Sequence, residues 1–219
     1  MIGDEVARQM DALEIAPDRP LIIADADEVL FQFMAKFLEF LEANNYRFDW
    51  SSFALTGNIR DADTDEVIES HIVQELLPKF FSQHTATMAP VADAADVLQR
   101  LSGDAQVIVL SNVPLEARDS RLVCLDKHGF NYPLIANKGA KGPVVKALLA
   151  DHNRPVVFID DIPHNHTSVA EHADHVLRLH FIAHPKLAAM LGKAEDAHHR
   201  AESWLDIEQL IQNHFEDNR

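Results

Sequence analysis

The chain has 219 residues, with 19 lysine and arginine against 35 aspartate and glutamate, and a formal net charge of −16 with histidine neutral. That balance excludes a generic nucleic-acid surface, because phosphate backbones are held by basic patches. It admits small anionic substrates only where a cation or a few placed lysines offset the local field. The single Cys124 cannot form an internal disulfide, no apolar run approaches the roughly 20 residues of a membrane helix, and the N-terminus lacks the basic and apolar regions of an export signal; the expectation is a cytoplasmic protein without membrane attachment.

Val6, Met10 and Leu13 recur at helical spacing, so a short amphipathic helix is predicted over 4–16, with Asp18-Arg19-Pro20 as its exit turn. Leu21, Ile22 and Ile23 then have the branched, continuous apolar character of a strand buried on both faces, as in a parallel sheet. Asp25 and Asp27 fall at its C-terminal end, where ligands bind in open α/β sheets, and a period of two puts both carboxylates on one side if the extended geometry persists.

Met34, Phe37, Leu38 and Leu41 mark a helix of about three turns, ended by Asn44-Asn45. Residues 50–65 are polar and broken by Gly57; helical spacing returns over 67–77, with Pro78 closing or kinking that helix. Aromatics concentrate in this stretch, and residues 31–90 read as a mainly helical cap inserted after the first strand. Most of its aromatics suffice as the cap's own core. Phe31 and Phe33 follow the carboxylate pair most closely and are the candidates for touching substrate.

From residue 91 strands and helices alternate: a helix through Ala94, Leu98 and Leu101; a strand Val107–Leu110 ending in Ser111-Asn112; a helix over 115–128 closed by Gly129; a short strand at Leu134-Ile135; and a loop leading into a helix that opens at Lys141-Gly142. A strand over 155–159 ends in Asp160-Asp161, a further helix leads to a last strand over 175–179, and a final amphipathic helix over 204–215 is capped by Ser203. The alternation implies an α/β fold: a Rossmann-like parallel sheet flanked by helices, with the core formed by 1–30 and 91–219 and the cap by 31–90.

Three strands thus end in polar groups, Asp25/Asp27, Ser111/Asn112 and Asp160/Asp161, and Lys141 offers an ammonium near the same edge. Carboxylates packed this closely raise one another's pKa unless a cation neutralises them, and hard oxygen donors suit Mg²⁺. Such an ion would also hold a phosphoryl oxygen, with the lysine and serine cradling the others. The histidines at 164 and 166 have spacing that chelates transition metals poorly and no cysteine partner nearby.

Taken in order, Asp25-Ala26-Asp27-Glu28-Val29 after an apolar strand, Ser111 ending the next, Lys141, and Asp160-Asp161 with Asn165 resemble the four motifs of the haloacid dehalogenase (HAD) superfamily over about residues 20–180. The resemblance implies a Mg²⁺-dependent phosphomonoester hydrolase with a small helical cap. It makes Asp25 the nucleophile that forms an aspartyl-phosphate, and Asp27 the general acid and then base. Asp27 also lends a backbone carbonyl to the metal, with Asp161 the preferred direct ligand and Asp160 direct or water-mediated. Ser111, Asn112 and Lys141 hold the transferring group, and Lys138 is the rival to Lys141. Members that cleave carbon–halogen bonds usually lack the second aspartate, so Asp27 favours phosphate esters. Glu28 is a departure, standing where many phosphatases of the family have glycine.

The stretches 27–30, 37–41, Phe80-Phe81 and 203–207 are also similar to the 5′(3′)-deoxyribonucleotidase group, which puts nucleoside monophosphates beside sugar phosphates among the candidate small-molecule substrates. The alternative is a HAD-fold binding module that retains Mg²⁺ and phosphate affinity without useful turnover.

Overall fold

The computed structural model describes residues 2–218. In chain order the elements are α1 (Asp4–Asp11), β1 (Leu21–Ala24), α2 (Phe33–Ala43), β2 (Tyr46–Phe48), β3 (Ile59–Asp61), α3 (Ser70–His84), α4 (Ala94–Leu101), β4 (Gln106–Ser111), α5 (Arg118–Lys127), β5 (Leu134–Ala136), α6 (Gly142–Leu148), β6 (Val156–Asp160), α7 (Pro163–His172), β7 (Leu177–His180), α8 (Pro185–Met190), β8 (His199–Arg200) and α9 (Trp204–Asp217). Six strands form one parallel sheet in the order β5-β4-β1-β6-β7-β8.

β1 lies between β4 and β6, and all four of its residues are fully buried. Its side chains alternate between the two cores. Ile22 and Ala24 join Phe37, Leu98 and Trp204 on one face, while Leu21 and Ile23 join Val6, Val145 and Val169 on the other. Two apolar faces need two helical layers, which is why the strand reads as a continuous apolar run. The chain runs from β1 outward through β4 and β5 and returns on the other side of β1 at β6. The crevice therefore opens at the β1 and β6 tips, where the direction of winding reverses.

Between β1 and α4 the chain forms α2, an antiparallel β2–β3 hairpin and α3. Phe33, Phe37, Phe40 and Phe80 pack ring on ring there, with Phe37 and Phe80 edge-to-face at 5.1 Å. These rings do not form the separate core expected of the inserted segment; they are part of the cluster that also holds Ile22, Leu98 and Trp204 against the sheet. Three further details depart from expectation. α3 begins at Ser70 rather than 67 and runs through Pro78 to His84; Pro78 and Gln74 four residues earlier both lie on the exposed face, which leaves the carbonyl the ring cannot bond open to solvent. The stretch expected as polar and broken, 50–65, carries β3 and the loop that joins it to β2. The last strand over 175–179 is β7 at 177–180, and His199 adds a further two-residue strand at the sheet edge. Ser203 caps α9 as expected, its Oγ accepting from Asp206 N at 3.1 Å. Among the described residues no helix is long and apolar enough to cross a membrane.

Candidate active site

Asp25 leaves β1 with its amide donating to the Ile159 carbonyl of β6, so the two strand tips are stitched together where the acids begin. Lys141, the residue before α6, is 1% exposed and its Nζ lies 2.5 Å from Asp25 Oδ1 and 2.6 Å from Asp160 Oδ2. Lys138 is exposed, and the ammonium at this site is that of Lys141. Burial alone would pull the ammonium's pKa down; Asp160 and Asp25 more than offset that, and the net shift is upward.

The two aspartates of the β6 tip have different environments. Asp160 is wrapped on both oxygens, one by Lys141 and the other by the Ile162 amide and Asn165 Nδ2 at 2.9 Å each. Asp161 faces a cleft of about 250 Å³, and no donor among the described residues bonds its carboxylate. Its pKa is raised well above the usual range by burial, with Asp160, Asp25 and Glu28 adding to the effect. Asp25 is pushed up to about 7, by burial first, with Lys141 opposing and Asp160 and Asp27 adding. The carbonyls of the pair are held from behind by buried histidines, His166 Nε2 on Asp160 O at 3.0 Å and His180 Nε2 on Asp161 O at 2.9 Å.

Burial of Asp25 and Asp161 disfavours their charged forms, and a cation bound between them would offset that cost; the donors are hard oxygens that suit Mg²⁺. A metal ion here would be held by the Asp161 carboxylate and by the Asp25 oxygen that Lys141 leaves open, since both oxygens of Asp160 are taken by Lys141, Asn165 and the Ile162 amide. Among the described residues no group of three or more His, Cys, Asp or Glu side chains is arranged for a metal.

Asp27 has a partner the sequence did not reveal. Arg121 of α5 is fully buried and its Nη2 lies 2.5 Å from Asp27 Oδ1. The guanidinium lies over the Phe31 ring at 5.0 Å, with Nη1 3.7 Å from Met88 Sδ. Helical spacing in α5 hides this residue, since an arginine on a flanking helix reads as surface. The one available signal was that Arg121 shares a helix face with the buried Cys124 and Leu125.

Glu28 also gains a definite place. Its backbone is left-handed at φ 60°, the conformation glycine adopts most easily. Its carboxylate accepts from the Met34 amide at 2.6 Å and the His184 amide at 2.7 Å. Burial pushes its pKa up to about 7 while those two amides hold it down. The N-cap residue of α2, Gln32, makes no side-chain cap, so Glu28 takes that part from outside the helix.

Of the residues singled out from sequence, Asp25, Asp27, Asp161, Lys141, Asn112 and Phe33 line the same cleft, together with Glu28, Leu55, Leu77, Phe81, Ile162 and Asn165. Two need correction. Phe31 is fully buried against Phe130 and Arg121 and does not reach the cleft, because its amide and carbonyl are tied into the 26–31 turn. Ser111 is fully buried at the β4 tip with its Oγ accepting from the Val113 amide, while Asn112 reaches the wall.

The architecture matches a set of solved structures. A haloacid dehalogenase-like hydrolase from Streptococcus pneumoniae aligns with a TM-score of 0.61 at 14% identity, covering 88% of this chain and 98% of that one. A HAD family hydrolase from Deinococcus radiodurans, solved with bound phosphate and sodium, gives 0.58 at 14% identity over 90% and 97%. The chain has the haloacid dehalogenase-like fold. The L-2-haloacid dehalogenase of Xanthobacter autotrophicus aligns too, with a TM-score of 0.54 at 12% identity over 88% and 98%. No protein-family model matches the sequence, and no curated protein matches it. Shared HAD-like architecture at these identities establishes the fold; the chemistry has to be argued from the side chains.

Proposed function

We propose that the chain is a Mg²⁺-assisted phosphomonoester hydrolase working through an aspartyl-phosphate. The observation that carries this reading is the convergence of Asp25, Asp27, Asp161 and Lys141 on one cleft at the β1 and β6 tips. The ion, when bound, neutralises charge between the nucleophile and the phosphoryl group.

The chain's own residues do the rest. An Asp25 carboxylate oxygen attacks phosphorus and the ester P–O bond breaks, the leaving oxygen taking a proton from Asp27. Water then attacks the aspartyl-phosphate, gives its proton to Asp27, and releases inorganic phosphate with Asp25 restored. Lys141 stays on Asp25 throughout and meets the phosphoryl oxygens. Asp27 favours an ester over an organohalide substrate: an alkoxide leaving group needs a proton and a halide does not. The single Cys124, buried and unpaired, fits the reducing interior of a cell.

A second reading, a binding module without turnover, is favoured by the Arg121 contact that ties down the Asp27 carboxylate. A panel of small phosphomonoesters assayed for phosphate release with Mg²⁺ and with a chelator separates the two. Turnover that needs the metal and falls at least about 1,000-fold in Asp25→Asn is the expected result. Absence of release across the whole panel makes the binding module the better reading, and undiminished activity in Asp25→Asn removes Asp25 as nucleophile.

A further inference from the structure

The cleft is chemically two-sided. Its lining carries the carboxyl groups of Asp25, Asp27, Glu28 and Asp161 and the amides of Asn112 and Asn165, beside an apolar wall of Phe33, Leu55, Leu77, Phe81 and Ile162. Among the described lining residues the one cation is Lys141, and its ammonium already bridges Asp25 and Asp160. The apolar wall is drawn from separate parts of the fold: α2, the loop between the hairpin strands, α3, and the turn after β6. It therefore belongs to the assembled cleft rather than to one element's core.

A phosphoryl group fastened at the carboxylate wall points its ester oxygen and leaving group at these apolar side chains. A second anionic group there meets no free ammonium or guanidinium among the described lining residues, since Lys141 is already paired with Asp25 and Asp160. An unpaired carboxylate pressed against such a wall keeps its desolvation cost with nothing to offset it. An aromatic or aliphatic alcohol loses only water. The volume of about 250 Å³ lies below the roughly 300–1,000 Å³ of pockets that enclose drug-sized ligands, which favours a leaving group of single-ring size.

Resting on the phosphomonoester reading, we infer that this cleft selects monophosphates of small, uncharged, largely apolar alcohols. It selects against esters that carry a second anionic group, whether a carboxylate or another phosphate. The same wall disfavours 2-haloacids, which bring a carboxylate of their own.

The test compares phenyl phosphate with 4-carboxyphenyl phosphate, two esters of similar shape that differ in one charge. Binding of each to the full-length Asp25→Asn protein is measured calorimetrically with Mg²⁺, and turnover of each is measured with the wild type. The expected result is binding of phenyl phosphate tighter by about 100-fold, with kcat/KM in the same ratio. In Leu77→Lys, at a half-buried position on the wall, the preference narrows by at least about 10-fold as the new ammonium meets the carboxylate. Equal or tighter binding of the carboxylated ester overturns the inference, as does an unchanged ratio in Leu77→Lys. A binding preference without turnover by the wild type leaves the selectivity standing and overturns the phosphatase reading. Failure of both esters to bind overturns both.

Discussion

At the scale of single residues, Glu28 and Arg121 carry the most information, because each breaks a local rule. A non-glycine residue at positive φ costs about 1–2 kcal/mol, so Glu28→Gly relieves strain, though added freedom of the unfolded chain cancels about half of that. Against this, the substitution orphans the Met34 and His184 amides, at about 1–3 kcal/mol each. The second effect is the larger, and Glu28→Gly is expected to lower stability by about 2 kcal/mol, read from the urea midpoint; a more stable variant would show that strain dominates. Arg121 poses the opposite case. Its Nε has no partner, so the buried cation is incompletely satisfied, and Asp27 reaches the cleft with its side chain 21% exposed, where water can replace the guanidinium. Arg121→Met therefore changes stability by no more than about 1 kcal/mol while leaving Asp27 free to rotate. Steady-state kinetics should show kcat down about 10- to 100-fold with KM little altered, and Arg121→Lys, lacking the planar fork, should not restore it. Loss confined to KM would mean that Arg121 acts on substrate rather than on Asp27.

At the scale of elements, Lys141 is positioned by the packing of α6 on α7. A methyl group on Gly142 would sit 2.0 Å from the Ser168 carbonyl oxygen, and the Gly142 amide donates to Ser168 Oγ at 3.2 Å. The obstacle is backbone, so no rotamer change relieves it and the helices have to separate. Gly142→Ala is expected to cost about 3 kcal/mol and, by shifting the neighbouring ammonium, to lower kcat/KM about 100-fold; unfolding curves and kinetics on the same preparation check both. Wild-type kinetics in this variant would show that α6 does not set the Lys141 position. This contact also marks where sequence reading runs out. The apolar run of β1, the acids at its tip and Lys141-Gly142 were legible because period and position along a strand are local properties. The two three-residue strands β2 and β3 are too short to show a period, and their pairing depends on a long intervening loop. Pro78 reads as a helix end unless its exposed face is known. The Arg121–Asp27 pair spans 94 residues and has no local signature at all.

At the scale of the whole molecule, the order of acids along the chain was enough to anticipate the sheet and the meeting of Asp25 with Asp160 and Lys141, because parallel topology forces strand tips together. It was not enough to tell which tip residues turn inward. Phe31 sits beside the right position yet packs on Phe130 and Arg121 from later in the chain, while Ser111 is buried with its Oγ taken by the Val113 amide two residues on. The net charge of −16 bears on function in a different way. A phosphomonoester approaching as a dianion meets a repulsive long-range field, while Lys141 acts only once it is inside, since its charge is largely cancelled by Asp25 and Asp160. Screening shortens that field from about 30 Å at 0.01 M salt to about 8 Å at 0.15 M. At fixed pH and fixed free Mg²⁺, kcat/KM for a small phosphomonoester is therefore expected to rise about 2- to 5-fold over that range, through KM, with kcat unchanged. A fall in kcat/KM would reveal a positive local field at the cleft mouth that outweighs the charge of the molecule, and would place the substrate's entry under the control of basic residues outside the lining of the cleft.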